Sequence, residues 1–133
     1  MEKAHLREIY KSKRQRLDTT TGKVTIGFEK ATFDEFWRWF QLSKFGEGCH
    51  YCGTTNDQSS RLYEMRKTRT RGGKRGKRLE LDRINPDLPY DCLDNLVWCC
   101  YWCNNAKSNF FSDQEFKSIA VEIGKVLNEI LEQ

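Results

Sequence analysis

Long apolar runs are absent from this sequence of 133 residues, and no stretch approaches the ~18 consecutive apolar residues that a membrane-spanning helix requires. Residues 1–5 do not lead into an apolar segment, so we expect no secretory leader and a cytoplasmic location. Apolar residues are sparse overall, at 38%, whereas charged residues make up 32%. We therefore expect a small hydrophobic core that depends on an additional staple.

Aromatic residues, in contrast, are abundant at 13%, so much of the core is expected to be Phe, Trp and Tyr. Thr32 and Glu35 form a capping-box pattern ahead of apolar positions at helical spacing. This pattern predicts an amphipathic helix over residues 33–44. The apolar face of that helix consists of Phe33, Phe36, Trp37 and Phe40. A base-stacking platform is one interpretation of this stripe, but helical spacing is more typical of core packing.

The rest of the chain alternates short extended segments with helical patterns, and we expect a single α+β domain over residues 1–133. Ser112 and Glu115 form another capping box, which predicts a terminal helix over residues 112–132. Residues 62–66 and 79–84 flank a basic, glycine-containing turn, and we expect these two segments to pair. The other predicted elements are a basic arm or helix over 1–17, a short strand at 24–28, a strand at 96–98 and a helix from about 103 to 108.

Positive charge is concentrated in one segment, although the net charge is only +4. Clustered basic side chains favour a polyanionic partner such as nucleic acid, and a solvated loop without a partner is the alternative. A smaller basic cluster near the start comprises Lys11, Lys13, Arg14 and Arg16. The candidate nucleic-acid contacts of the main run are Arg66, Lys67, Arg69, Arg71, Lys74, Arg75, Lys77 and Arg78.

Two Cys-x-x-Cys pairs are the strongest chemical signal in the sequence. The pairs are Cys49–Cys52 and Cys100–Cys103. This short spacing lets two thiolates from one tight turn bind the same tetrahedral ion, and Gly53 suits such a turn. In a chain without a secretory leader the interpretation is metal binding, with structural Zn²⁺ as the ion, rather than disulfides or a redox pair.

Three other residues near these pairs need an interpretation. Cys99 could replace Cys100 as a ligand, but the matched spacing of the two pairs favours Cys100. We expect Cys92 and Cys99 to be small core residues. His50, between the first two ligands, is more typical of an exposed neighbour than of a ligand.

Three short segments between and after the cysteine pairs resemble the HNH endonuclease family. They are Glu80-Leu81-Asp82-Arg83-Ile84-Asn85-Pro86, Asp94-Asn95-Leu96-Val97-Trp98 and Cys103-Asn104-Asn105-Ala106-Lys107-Ser108. The resemblance covers residues 49–108 and is greatest to a zinc-knuckle, phage-type branch. It implies a ββα fold around one divalent metal, with flanking helices outside the match, and a bacterial or phage-encoded protein.

The resemblance also implies roles for particular residues. Asp82 and Asn104 correspond to the ligands of the catalytic metal, and Asn95 to the residue that ties down the loop between the strands. Glu80, on the same strand face as Asp82, is expected to support these ligands or to add one. Oxygen ligands of this kind suit Mg²⁺ or Mn²⁺, and Lys107 is expected to hold the phosphate backbone.

One position departs from the family pattern. The family's Asp-His pair is Asp82-Arg83 here, and arginine remains protonated, so it cannot act as the general base. Arg83 could instead hold a phosphate, while His50 and Glu80 are alternative bases. The predicted function is metal-dependent hydrolysis of DNA phosphodiester bonds, with RNA the less favoured substrate. The alternative is a zinc-stabilised nucleic-acid-binding module that keeps the scaffold and has lost catalysis.

Overall fold

The computed structural model describes residues 1–14, 16–25 and 27–133. It contains five α-helices, four short 3-10 turns and four short strands within these ranges. The helices and strands are α1 (Lys3–Ser12), β1 (Arg16–Leu17), β2 (Val24–Thr25), α2 (Phe33–Leu42), α3 (Asn56–Met65), β3 (Glu80–Arg83), β4 (Leu96–Cys99), α4 (Tyr101–Lys107) and α5 (Asp113–Leu131). The strand predicted at 24–28 includes Ile26, which lies outside the described residues. None of the helices within those ranges is long and apolar enough to cross a membrane.

Capping boxes determine where three of the helices begin. Thr32 opens α2, Thr55 opens α3 and Ser112 opens α5, each through reciprocal bonds with the side chain three residues later. Each such cap contributes about 1 kcal/mol to helix stability. The boxes of α2 and α5 were predicted from the sequence, and the observed helices begin at the expected residues.

The Thr55–Gln58 box contradicts the prediction that residues 62–66 pair with residues 79–84. Residues 62–65 instead form the last turn of α3, and Arg66 is its C-cap. Ser59, Leu62 and Tyr63 are buried and recur at helical spacing, so this segment packs one face of a helix into the core. Strand β3 pairs with β4 instead.

The core is largely aromatic, as the composition predicted. Phe28, Phe36 and Phe116 are almost completely buried, and burial of each ring contributes about 1.5–3 kcal/mol. Phe36 stacks on Trp39, and Trp39 in turn contacts Trp98 of β4. The aromatic stripe of α2 is therefore core packing and not a surface for stacking bases.

Strands β3 and β4 form an antiparallel pair, and α4 follows β4 and packs against β3. The register places Asp82 opposite Val97 and Glu80 opposite Cys99. The loop between the strands is closed by Asn95, whose side chain donates to the Asn85 carbonyl at 2.9 Å and accepts from the Asn85 amide at 3.0 Å. This ββα unit, with helices on either side, is an α+β fold.

The long helix α5 passes directly over the first cysteine pair. A side chain at Gly124 would lie 3.1 Å from the Cys52 carbonyl oxygen, so glycine permits this close approach. Gly53 completes the turn of that pair with φ +80°, the left-handed conformation predicted for it.

Candidate metal centre and active site

Four cysteine side chains from two distant parts of the chain converge on one point. The Sγ atoms of Cys49, Cys52, Cys100 and Cys103 all lie within 4.8 Å of one another. The Cys52 and Cys100 sulfurs are 3.7 Å apart. Tetrahedral zinc with Zn–S bonds of about 2.3 Å places its sulfurs about 3.8 Å from each other. This group can therefore hold a metal ion, and its donor set and spacing fit the predicted zinc site.

The electrostatics of the cluster also suit a cation. Hydrogen bonds from Cys100 and Cys103 hold the pKa of Cys49 far below that of a free thiol. Contact with Cys100 and Cys49 raises the pKa of Cys103. Thiols this close cannot all ionise without a positive charge between them, and a bound divalent ion supplies that charge as it displaces their protons.

The two cysteines outside the cluster behave differently from each other. Cys99 is completely buried, as predicted, and its Sγ lies 3.3 Å from the Cys100 carbonyl oxygen. Cys92 is exposed, so the prediction that it belongs to the core is wrong. It lies at the end of the loop between β3 and β4, where the chain runs over the surface.

The polar face of β3 and the inner face of α4 meet beside this cluster. Glu80 and Asp82 alternate with buried Leu81, so their side chains share one face of the strand. On α4, Asn104 and Lys107 are one turn apart and face that strand. The Asn104 amide nitrogen donates to Glu80 at 3.0 Å, and the Lys107 ammonium lies 3.9 Å from Asp82.

Asp82 is mostly buried, and its surroundings have opposing effects on the pKa of its carboxyl. Burial raises the pKa of its carboxyl, while the Lys107 cation and a hydrogen bond from Tyr51 lower it; the net pKa is above the ordinary value. The Tyr51 hydroxyl donates to Asp82 Oδ2 at 2.9 Å. Burial and the negative charge of Asp82 raise the pKa of Tyr51, so this hydroxyl is a hydrogen-bond donor and not a base.

Glu80 is held by two neighbours. Arg75 donates from Nη2 and Nε to the two carboxylate oxygens, at 2.6 and 3.0 Å, in a bidentate pair. The Arg75 guanidinium also lies over the Tyr101 ring, 4.8 Å from its centre. Glu80 accepts hydrogen bonds from Arg75 and from the side-chain nitrogen of Asn104. Glu80 therefore orients the Asn104 side chain.

The two other residues considered for catalysis also have partners. Arg83 donates to the Leu88 carbonyl at 3.0 Å and lies over the Tyr90 ring at 4.8 Å, so it braces the loop between the strands. The Nε2 atom of His50 lies 3.1 Å from Asp113 Oδ1 at the start of α5. His50 is partly exposed, as expected for a neighbour of the cysteine pair.

The basic run is not one continuous surface. Arg66 and Arg69 lie near the C-terminal half of α5, beside Leu127 and Ile130. A second part of the run lines a cleft next to Glu80 and Asn104, and consists of Lys74, Arg75, Lys77 and Arg78. Of the rest, Lys67 pairs with Glu64 at 2.8 Å, and the backbone amide of Arg71 donates to the Tyr101 hydroxyl.

Lys107 does not occupy the position expected for it. Only 1% of its side chain is exposed, so it does not lie on the surface. Its place one turn after Asn104 on the inner face of α4 brings it over the Tyr51 ring and next to Asp82. The tertiary packing uses this cation to neutralise Asp82, and a contact with the phosphate backbone stays a prediction.

Tyr51 and Asp113 are the site residues that sequence reasoning missed. Tyr51 lies inside the first Cys-x-x-Cys pair, and its position between two ligands was the available signal. Asp113 offered none, because an acidic residue in the first turn of a helix is common. Asp113 reaches His50 because α5 packs on the cysteine pair, whereas Tyr51 reaches Asp82 from within that pair.

Comparisons with known proteins find a likeness in the solved structures. The chain is similar to the rare-cutting HNH restriction endonuclease PacI, which perturbs DNA, with 29% sequence identity and a TM-score of 0.60. The match covers 74% of this chain and 66% of that structure, or slightly under two thirds of its length. No family model matches the chain, and no curated protein matches it either.

Proposed function

We propose that this chain, which is similar to an HNH restriction endonuclease, is a metal-dependent endonuclease that hydrolyses DNA phosphodiester bonds. The observation that carries the proposal is the shared polar face of β3 and α4. There Asn104 reaches Glu80, and one turn later Lys107 reaches Asp82. The two positions that resemble the family's metal ligands, Asp82 and Asn104, thus belong to one site although they are far apart in the sequence.

The four-cysteine cluster is the structural part of this proposal, and zinc is its ion. Four thiolates form a closed, tetrahedral set that suits Zn²⁺ and leaves no position for a reacting water. Three of the four residues are buried, which favours a stabilising role. The zinc pins the turn before α3 to the start of α4, and α4 carries Asn104.

The polar face is the catalytic part, and Mg²⁺ or Mn²⁺ is its ion. The side-chain nitrogen Nδ2 of Asn104 is already bonded to Glu80. The side-chain oxygen Oδ1 of Asn104 is therefore the atom left to bind a cation. Together with the Asp82 carboxylate it makes an oxygen donor set that a hard divalent cation prefers. When bound, such an ion stabilises the charge that develops on the scissile phosphate and its leaving oxygen.

The protein residues around Asp82 keep it ready for this role. The Tyr51 hydroxyl and the Lys107 ammonium favour the ionised carboxylate, which burial alone would disfavour. Arg75 and Glu80 fix the orientation of Asn104 through a chain of bonds of 3.0 Å or shorter. These side chains therefore act as positioning residues, and the site is preorganised before substrate binds.

Arg83 supports a second candidate function, a nucleic-acid-binding module without catalysis. Its guanidinium braces the loop between the strands and takes the place of the family's general base. General-base catalysis contributes about 10²–10⁴-fold to a rate. An enzyme that lacks this residue is expected to be slow.

Plasmid cleavage tests the proposal. Purified protein with Mg²⁺ or Mn²⁺ is compared with Asp82→Ala and Asn104→Ala, and exposed residues of the same types, in Asp57→Ala and Asn128→Ala, serve as controls. We expect the wild type and both controls to cut, and both site variants to lose cutting. Cutting that survives in both site variants contradicts the site assignment. Salt-dependent DNA binding without any cutting by the wild type supports the binding module instead.

A further inference from the structure

A cleft of about 590 Å³ opens between α1 and the part of the basic run that follows α3. One wall is α1 with the residue after it, and the other is the chain leading into β3. Basic or titratable side chains line both walls, namely His5 and Lys13 on the first, and Lys74, Lys77 and Arg78 on the second. Glu80 and Asn104 of the candidate active site lie at one side of the same cleft.

The cleft carries an excess of positive charge. Among the described residues that line it, Glu80 is the one carboxylate, and Arg75 already pairs with it at 2.6 Å. The side chains of Lys74, Lys77 and Arg78 are exposed; the Lys77 ammonium lies 5.1 Å from the centre of the Tyr63 ring, and Arg78 bonds to His5. A cleft with cations on both walls concentrates an anionic ligand between them.

Helix α1 is a fixed wall. Leu6 is completely buried in the core, and the Tyr10 hydroxyl donates to the Ala31 carbonyl at 2.6 Å. Arg78 donates to Nδ1 of His5 at 2.6 Å, which joins the two walls at one end of the cleft. Lys13, at the C-terminal cap of α1, is therefore held at a defined position relative to Arg78 and Lys77.

We propose that α1 and the segment from Lys74 to Arg78 form the two walls of a DNA-binding cleft that leads to the active site. Lys13 on one wall, with Lys77 and Arg78 on the other, contacts backbone phosphates next to the one presented to Asp82 and Asn104. This inference rests on the proposed DNA nuclease function. It adds a role for the first helix, which lies outside the residues that resemble the HNH family.

The salt dependence of DNA binding tests this inference. The full zinc-loaded chain is titrated onto a fluorescent 20-base-pair duplex without added Mg²⁺ or Mn²⁺, over a series of salt concentrations. The variants are Lys13→Gln, the pair Lys77→Gln with Arg78→Gln, and Lys117→Gln as a control on the exposed surface of α5. Each lost phosphate contact is expected to lower the slope of log K against log salt by about 0.9, which is about 8-fold in affinity at 0.1 M salt.

Lys13→Gln should reduce the slope by about one contact and the double variant by about two, while Lys117→Gln leaves the slope unchanged. If Lys13→Gln behaves like Lys117→Gln while the double variant weakens binding, α1 is not a wall of the cleft, although the proposed nuclease function stands. If the wild type binds no DNA at all, the proposed function itself fails. Tighter binding of an RNA duplex of the same sequence would overturn the assignment of DNA as the ligand.

Discussion

The cysteine cluster and the polar face of β3 and α4 lie side by side, and they are built in opposite ways. The cluster is closed: its four thiols contact one another, and Cys100 and Cys103 are completely buried. The polar face is partly open, with 20% of the Glu80 side chain and 17% of Asp82 exposed. A closed sulfur site stabilises a fold, whereas an open oxygen site leaves room for water and substrate. We therefore expect the closed site to stabilise the fold and the open site to take part in the proposed reaction.

Removal of the closed site is expected to have the largest effect. Cys103→Ala should abolish zinc binding and leave the chain largely unfolded at 25 °C. Structural zinc contributes on the order of 10 kcal/mol in small domains, which is comparable to the whole stability of a typical domain. Zinc content by mass spectrometry and helix content by circular dichroism measure this. Cys92→Ala, at the exposed cysteine, should change neither; a folded, zinc-free Cys103→Ala protein would contradict the structural role.

At the open site, a gain of function is expected from Arg83→His. A histidine after Asp82 restores the family's general base, and we expect cleavage to rise by up to about 10²-fold. Arg83→Gln, which loses the same loop contacts without adding a base, is the matched control. The initial rate of plasmid nicking is the measurement. If both variants cut equally fast, the missing base does not limit the reaction.

A smaller effect is expected from the support of Asn104. Glu80→Gln loses the charged bidentate pair with Arg75 and weakens the orientation of the Asn104 amide. Such changes around a metal ligand typically cost about 10–100-fold in metal affinity. Mn²⁺ binding to the zinc-loaded protein without DNA, followed by electron paramagnetic resonance, reports this directly. Glu122→Gln on α5 is the control, and equal Mn²⁺ affinity in the two variants would remove Glu80 from the site.

The smallest effect concerns pH. In the proposed reaction Asp82 acts as the ionised carboxylate, and the Tyr51 hydroxyl is one of the groups that lower the pKa of Asp82. Tyr51→Phe removes that donor, so the pKa of Asp82 rises further. As the pH is lowered, Asp82 is then protonated earlier, and cleavage is lost at a higher pH than in the wild type. At pH 7 we expect a loss of at most about 10-fold, equivalent to about 1.4 kcal/mol for one charged hydrogen bond. The pH profile of nicking measures this change; Tyr10→Phe, which removes a hydroxyl bonded to the Ala31 carbonyl, should leave that profile in place.

Much of the local structure could be predicted because its causes lie within a few residues. The Thr32 and Ser112 capping boxes identified the starts of α2 and α5, and the matched spacing of the cysteine pairs selected Cys100 over Cys99. Local pattern was a poor guide at α3, where residues 62–66 favour a strand and the Thr55–Gln58 box instead begins a helix. A short polar helix with few apolar residues has a weak periodic signal, and its packing against α5 decides its structure.

The sequence by itself predicted the four-cysteine cluster, because that depends on spacing and side-chain chemistry, and its resemblance to the HNH family implied the ββα order of the core and the residues that correspond to metal ligands. Only the tertiary structure decided what those residues contact. Lys107 is buried against Asp82, and Glu80 is bonded to Arg75 and Asn104. Arg83 contacts the loop between the strands, and α1 lies across the cleft from Lys77 and Arg78. These contacts join segments that are distant along the chain, and outside the two cysteine pairs no local residue pattern indicates which distant segments will meet.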